Sequence, residues 1–143
     1  MATRTANAEW KGGVQDGKGT ISSASGALEG QYSFSSRFEE GTGTNPEELV
    51  AAAHASCFSM ALSFALANGG HTAESVRTEA KVQLLKDGEG FTIKKITLTT
   101  VGRVPGIDDA EFQQAAQAAK EGCPISKALA AVETIELDAT LES

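Results

Sequence analysis

Residues 45–70 read NPEELVAAAHASCFSMALSFALANGG. Asn45 is a residue type that caps a helix start, and Pro46 suits the first helical position. Glu47 and Glu48 add negative charge in the first turn, where the helix dipole favours it. At the other end Asn68-Gly69-Gly70 stops the helix, because glycine takes the left-handed terminal conformation at little cost. The stretch therefore predicts one helix over 45–68. From 49 to 67 it carries no Asp, Glu, Lys or Arg, and nineteen such residues are long enough to span a bilayer. Seven alanines, three serines and His54 make a poor span, and the capping signals are those of soluble domains. The expectation is a helix buried on most sides of a soluble protein. One chain of 143 residues offers few surfaces to cover every side, so a homodimer burying two such helices is expected.

The flanks read as strands and shorter helices. Residues 6–14 and 18–23 surround Asp16-Gly17, a pair that favours a tight hairpin turn, and 31–35 alternates polar with aromatic residues as a further strand. A loop over 36–44 with two glycines leads to the long helix. Beyond it, 76–84 alternates cleanly, and 91–104 returns as a long strand whose apolar parity shifts between Ile93 and Ile96, the mark of a β-bulge. Helices are expected over 108–121 and 124–131, and Ile135, Leu137, Ala139 and Leu141 line one face of a terminal strand. Strands, helix, strands, helices and strand make an α+β protein, and 143 residues suit a single domain over 1–143.

A formal charge of −7 and the absence of basic runs argue against nucleic acid as a partner, since that binding rests on neutralising phosphates. The N-terminus lacks the apolar core of a signal peptide. Two cysteines without an export signal point to a reducing, cytoplasmic setting, where a disulfide is transient and catalytic.

Those cysteines stand in different contexts: Cys57 in the uncharged helix, Cys123 in Gly122-Cys123-Pro124 at the start of another. A thiol attacks only as thiolate, and burial in an apolar helix raises its pKa. A functional Cys57 therefore needs a cation. Arg37, in the loop before the helix, is the candidate, with Glu47 or Glu48 able to hold its guanidinium plane. The plain alternatives are a small buried hydrophobe at Cys57 and a solvated loop residue at Arg37. His54 stands three residues before Cys57 on the same helical face. That spacing permits a Cys-His acyl-transfer pair, or a metal site with Cys57 and Cys123; a packed core histidine is the simpler reading. A binding or stress-structural protein with incidental cysteines is the remaining alternative.

Arg37-Phe38-Glu39, Gly43-Thr44-Asn45-Pro46-Glu47-Glu48-Leu49, Ala52-Ala53-His54-Ala55-Ser56-Cys57-Phe58-Ser59-Met60, Val104-Pro105-Gly106-Ile107 and Gly122-Cys123-Pro124-Ile125-Ser126 occur in that order. Together they resemble the OsmC/Ohr family of thiol peroxidases over nearly the whole chain. The likeness is nearer the OsmC branch, because the Ohr branch usually has tyrosine where this chain has His54. The resemblance implies an OsmC-like fold, an antiparallel sheet wrapped around a long buried central helix, in an intertwined homodimer. It implies Cys57 as the peroxidatic and Cys123 as the resolving cysteine. Arg37 would stabilise the thiolate and orient the peroxide, and Glu47 would bind Arg37. The activity implied is reduction of organic hydroperoxides in stress defence, without metal, haem or other cofactor. A dithiol reductant, with a lipoylated protein as candidate, would reset the pair. Phe58 and Met60, together with Phe34 and Phe38, would form an apolar pocket that favours an alkyl peroxide over hydrogen peroxide. Glu47 and Cys57 are separated by about 15 Å of helix axis, so Glu47 must act through Arg37 or come from a partner chain.

Overall fold

The computed structural model describes residues 2–142, which form two compact units divided between Leu49 and Val50, inside the long helix.

In the first unit β1 (Ala6–Lys11), β2 (Lys18–Ser23) and β3 (Glu29–Tyr32) make an antiparallel sheet in that order. The first strand stops earlier than the expected 6–14 because Gly12 takes a φ of 99°, turning the chain before the Asp16-Gly17 pair. The strand expected over 31–35 also ends early, at Tyr32. Ser33 instead caps a short helix, α1 (Phe34–Phe38). The Ser33 hydroxyl accepts the Ser36 N–H at 3.1 Å, and the Ser33 N–H donates to the Ser36 hydroxyl at 2.8 Å. This reciprocal cap satisfies two helix-end donors. Ser36 also donates to the Thr44 carbonyl at 2.7 Å, and Asn45 Nδ2 donates to the Ser36 carbonyl at 2.9 Å, which tie α1 to the start of α2 (Pro46–Asn68). Asn45 performs the expected capping, its Oδ1 accepting the Glu48 N–H at 2.8 Å.

The second unit holds the rest of α2, then β4 (Ser75–Asp87), β5 (Gly90–Arg103), α3 (Asp109–Gly122), α4 (Pro124–Ala128) and β6 (Thr134–Glu142). Its sheet runs β4-β5-β6. The β4–β5 pair is antiparallel, and its register slips where Gln83 pairs with Lys95 and Leu84 with Ile93, leaving Lys94 as the extra residue. That is the bulge foreseen between Ile93 and Ile96. The β5–β6 pair is parallel, so the expected all-antiparallel sheet is corrected. The reason lies in the connection: a parallel neighbour needs a long crossover, and α3 with α4 supplies it.

The core lies entirely in this unit: Phe58, Leu62 and Leu66 from α2, Ile96 and Leu98 from β5, Val104, and Phe112, Ala116 and Ala119 from α3. Full burial of a side chain such as Leu62 contributes about 1.5–3 kcal/mol. Packing is close enough to require glycine at 102, where a Cβ would lie 2.5 Å from the Phe112 ring.

Within the single chain the helix is covered along one side. It buries only the stripe His54, Phe58, Leu62 and Leu66, spaced four apart, while Met60 and Phe64 are 77% and 69% exposed. Helix α2 is also long and apolar enough to cross a membrane by length and composition, with 22% of the relevant window buried. Apolar residues on every side concealed which stripe the chain's own core would cover.

Candidate active site

Cys57 follows one residue behind the buried stripe of α2 and is partly exposed, next to fully buried Phe58. Cys123 ends α3, its N–H donating to the Ala119 carbonyl at 2.9 Å, and at the same time caps α4. Pro124 occupies the first position of α4 and has no N–H to offer. The backbone N–H groups of Ile125 and Ser126 and the Ser126 hydroxyl favour the charged form of Cys123, although its side chain makes no cap hydrogen bond to this turn. The two sulfurs are 2.8 Å apart and share a hydrogen bond. Residues 66 positions apart are thus brought into contact.

The electrostatics of the pair are unequal. Burial pushes the Cys57 thiol above its ordinary value, and the Cys123 sulfur adds to the rise. Burial pushes Cys123 up too, but hydrogen bonds from Cys57, Ser126 and Ile125 outweigh it and hold Cys123 below. A Cys57 thiol raised in this way requires a further cation to attack as thiolate.

His54 is fully buried, its Nε2 2.8 Å from the Ser126 hydroxyl, while Nδ1 has no partner. Desolvation holds its pKa below the ordinary 6.5, so the ring is neutral at pH 7. Its one hydrogen bond goes to Ser126 rather than Cys57, which removes the geometry an acyl-transfer pair needs. Among the described residues no group of three or more His, Cys, Asp or Glu is placed to hold a metal. Ser126 is the participant that sequence reasoning passed over. The available signal was its position, three residues after the capping Cys123, where a helix's first turn presents its donors.

A cavity of about 540 Å³ opens beside Cys57, lined by Met60, Phe64, Ala119, Gly122 and Pro124 among others. Met60 thus stands where a pocket residue was expected. Phe58 does not line this cavity; it turns into the core.

Arg37, Glu47, Phe34 and Phe38 belong to the first unit. Arg37 Nε and Nη2 donate to the two carboxylate oxygens of Glu47 at 3.0 and 2.9 Å, a planar two-pronged pair in one chain. Glu48 is engaged elsewhere, accepting the Thr44 hydroxyl at 2.7 Å, so Glu47 is the carboxylate that holds the arginine. The guanidinium also lies 5.4 Å from the Phe38 ring centroid. Arg37, Phe34 and Phe38 line a second cavity, of about 260 Å³, with Trp10, Val14 and Tyr32.

The family profile described as OsmC-like protein matches residues 39–138. This chain belongs to the OsmC-like family. It is 51% identical over 137 residues to peroxiredoxin OsmC of Escherichia coli (strain K12), covering 95% of this chain and 94% of that protein. It is 37% identical over 131 residues to the organic hydroperoxide resistance protein OhrB of Bacillus subtilis (strain 168), covering 90% and 91%. The crystal structure of an organic hydroperoxide resistance protein OsmC from Legionella pneumophila matches with a TM-score of 0.71 and 25% identity, over 100% of both chains. The α+β arrangement of two small sheets and a central helix matches that structure and the crystal structure of OhrB of Bacillus subtilis, which aligns with a TM-score of 0.68 and 31% identity over 96% of this chain and 98% of that one.

Proposed function

We propose that this protein is a cysteine-based peroxidase that reduces organic hydroperoxides to alcohols in stress defence, with Cys57 attacking and Cys123 resolving. The observation that carries the assignment of roles is the 2.8 Å approach of the two sulfurs, one partly exposed beside an apolar cavity and the other buried. Relatives named peroxiredoxin and organic hydroperoxide resistance protein support the same activity.

The Cys57 thiolate attacks the terminal oxygen of ROOH. The O–O bond breaks, RO⁻ takes a proton and leaves as ROH, and Cys57 becomes a sulfenic acid. The Cys123 thiolate then attacks the Cys57 sulfur, and the hydroxide that leaves takes a proton to become water. The resulting disulfide shields Cys57 from irreversible over-oxidation, and a dithiol, with a lipoylated protein as candidate, resets it by exchange. Apolar Met60 and Phe64 reward burial of the alkyl part of the peroxide. Arg37, clamped by Glu47, is assigned the cation that a desolvated Cys57 requires.

The whole chain, 1–143, acts in this reading as one domain of an intertwined homodimer in the cytoplasm. The exposed apolar side of α2, including Met60 and Phe64, supports the dimer, since a soluble protein does not leave such a stripe uncovered. Light scattering on reduced protein at low micromolar concentration tests it, and a fully active monomer would overturn it. The test of the chemistry is intact mass after one equivalent of an alkyl hydroperoxide. A loss of two hydrogens, abolished by replacing either cysteine, is expected; an unchanged mass with peroxide consumed would overturn the assignment.

A further inference from the structure

Arg37 and Glu47 stand ten positions apart, and by itself such a pair is weakly held. The arginine side chain is 38% exposed and the glutamate 12%, and an ion pair open to water recovers little of the entropy lost in fixing two long side chains. Two further contacts lie beside it in the chain. Ser36, one residue before Arg37, is a buried polar residue, 7% exposed. Its oxygen accepts the Ser33 N–H at 2.8 Å, and its one hydrogen goes to the nearer carbonyl, Thr44 at 2.7 Å against Ser33 at 3.1 Å. Thr44 is held from its other side as well, its N–H donating to the Gln31 carbonyl of β3 at 2.8 Å. Asn45, two residues before Glu47, uses both arms of its amide. Oδ1 caps α2 by accepting the Glu48 N–H at 2.8 Å, and Nδ2 donates to the Ser36 carbonyl at 2.9 Å. Aspartate and serine cap a helix as well as asparagine does, but neither carries the amide arm. The cap does not require asparagine; the link to Ser36 does.

We propose that Asn45 and Ser36 are positioning residues: they clasp the end of α1 to the start of α2 and so hold the Arg37 guanidinium on Glu47. The inference rests on the reading of Arg37 as the cation that Cys57 requires. The clasp fixes the backbone on each side of the pair, so much of the ordering entropy is already lost before the two side chains meet. With the clasp open, Arg37 keeps only a weak, water-exposed partner and turns away from it for part of the time. The charge offered to the thiolate then becomes intermittent. Variants that open the clasp should therefore act only through Arg37, which general damage to the fold does not do.

The experiment compares Asn45→Ser, which keeps a capping oxygen and loses the amide, with Ser36→Ala, each alone and combined with Arg37→Ala. The first measurement is the exchange of the Arg37 Nε–H with water, followed by nuclear magnetic resonance in the reduced protein and assigned by the loss of its signal in Arg37→Lys. Loss of one hydrogen bond predicts exchange about fivefold faster in either variant. The second is the alkylation rate of Cys57 at neutral pH in a Cys123→Ser background, where Cys57 is the one thiol left. That rate should fall by up to about fivefold in Asn45→Ser and Ser36→Ala, less than in Arg37→Ala. Neither variant should add to the loss that Arg37→Ala already causes, since residues acting through one partner are not additive. Unchanged Nε–H exchange in Asn45→Ser overturns the proposal, and that variant decides alone if Ser36→Ala fails to fold. A slowing of alkylation that persists undiminished on top of Arg37→Ala removes the route through Arg37. If Arg37→Ala itself leaves alkylation unchanged, the reading of Arg37 as the cation fails. The Nε–H exchange needs no peroxidase activity and still decides for or against the clasp, so the two failures are told apart.

Discussion

The two units of this chain are built on opposite principles. In the second, nine buried apolar residues from one helix face, a central strand and the residue after it, and a crossover helix enclose a common core, and the two sulfurs sit at its margin. In the first, all six residues of β1 are exposed, and no apolar side chain is fully buried among the described residues. What that unit has instead is hydrogen-bonded and ionic order: the Ser33–Ser36 cap, the Asn45 cap and the two-pronged Arg37–Glu47 pair. A three-stranded sheet without a buried face is marginal by itself. The contrast teaches that order in the first unit rests on polar and ionic pairs, and order in the second on a buried apolar face.

The sharpest way to break this comparison is at the sulfurs. Cys57→Ser is expected to abolish peroxide reduction, while Cys123→Ser reacts once and then accumulates the sulfinic or sulfonic form of Cys57, read as added oxygens in the intact mass. Single-turnover reduction by Cys57→Ser would detach the chemistry from the second unit. Next in size is the contribution of the first unit. Arg37→Ala should raise the Cys57 thiolate midpoint by about one to three units, and Arg37→Lys should recover only part of it because it lacks the planar fork. Alkylation rate against pH is the measurement, and an unchanged profile would leave Arg37 a structural pair of Glu47 and nothing more.

Stability separates the units as well. Leu62→Ala should cost about 2–5 kcal/mol in urea unfolding, as a buried leucine does. Leu28→Ala, at a residue 43% exposed, should cost under about 1 kcal/mol if nothing else covers it. A larger cost at Leu28 that fades on dilution would assign the cover to a second chain. The smallest effect concerns His54. Its folded-state pKa lies below the unfolded value, so the unfolded chain binds more protons as the pH falls through and below about 6.5. Its contribution is present above that range and is lost on acidification, by at most about 1.4 kcal/mol per pH unit. A folded His54→Gln variant should lack that slope, and an unchanged slope would trace it to other groups.

How much of this the sequence displayed depended on distance along the chain. The ends of α2 were legible because Asn45, Pro46 and Gly70 act on their own neighbours, Gly70 taking the expected positive φ of 88°. The bulge at Lys94 was legible because it breaks a period of two. Ser33 was misread as strand because a tyrosine and a phenylalanine beside it alternate like one, although a serine three residues before another also forms a reciprocal cap. The parallel β5–β6 ladder was missed because alternation carries no strand direction. Arg37 was singled out for its charge, yet the choice between Glu47 and Glu48 needed coordinates or a family likeness. The link from His54 to Ser126 spans 72 positions and lay beyond any local pattern.

The parallel ladder also imposes an order on maturation. Cys123 rides on the crossover between β5 and β6, so it is secured against Cys57 only when the last strand has zipped onto β5 from Lys95↔Thr134 to Arg103↔Glu142. Long-range pairing of this kind forms late, after the loop it closes has paid its entropy. In a chain still emerging from the ribosome, Cys57 is therefore made before the ladder that holds the crossover carrying Cys123.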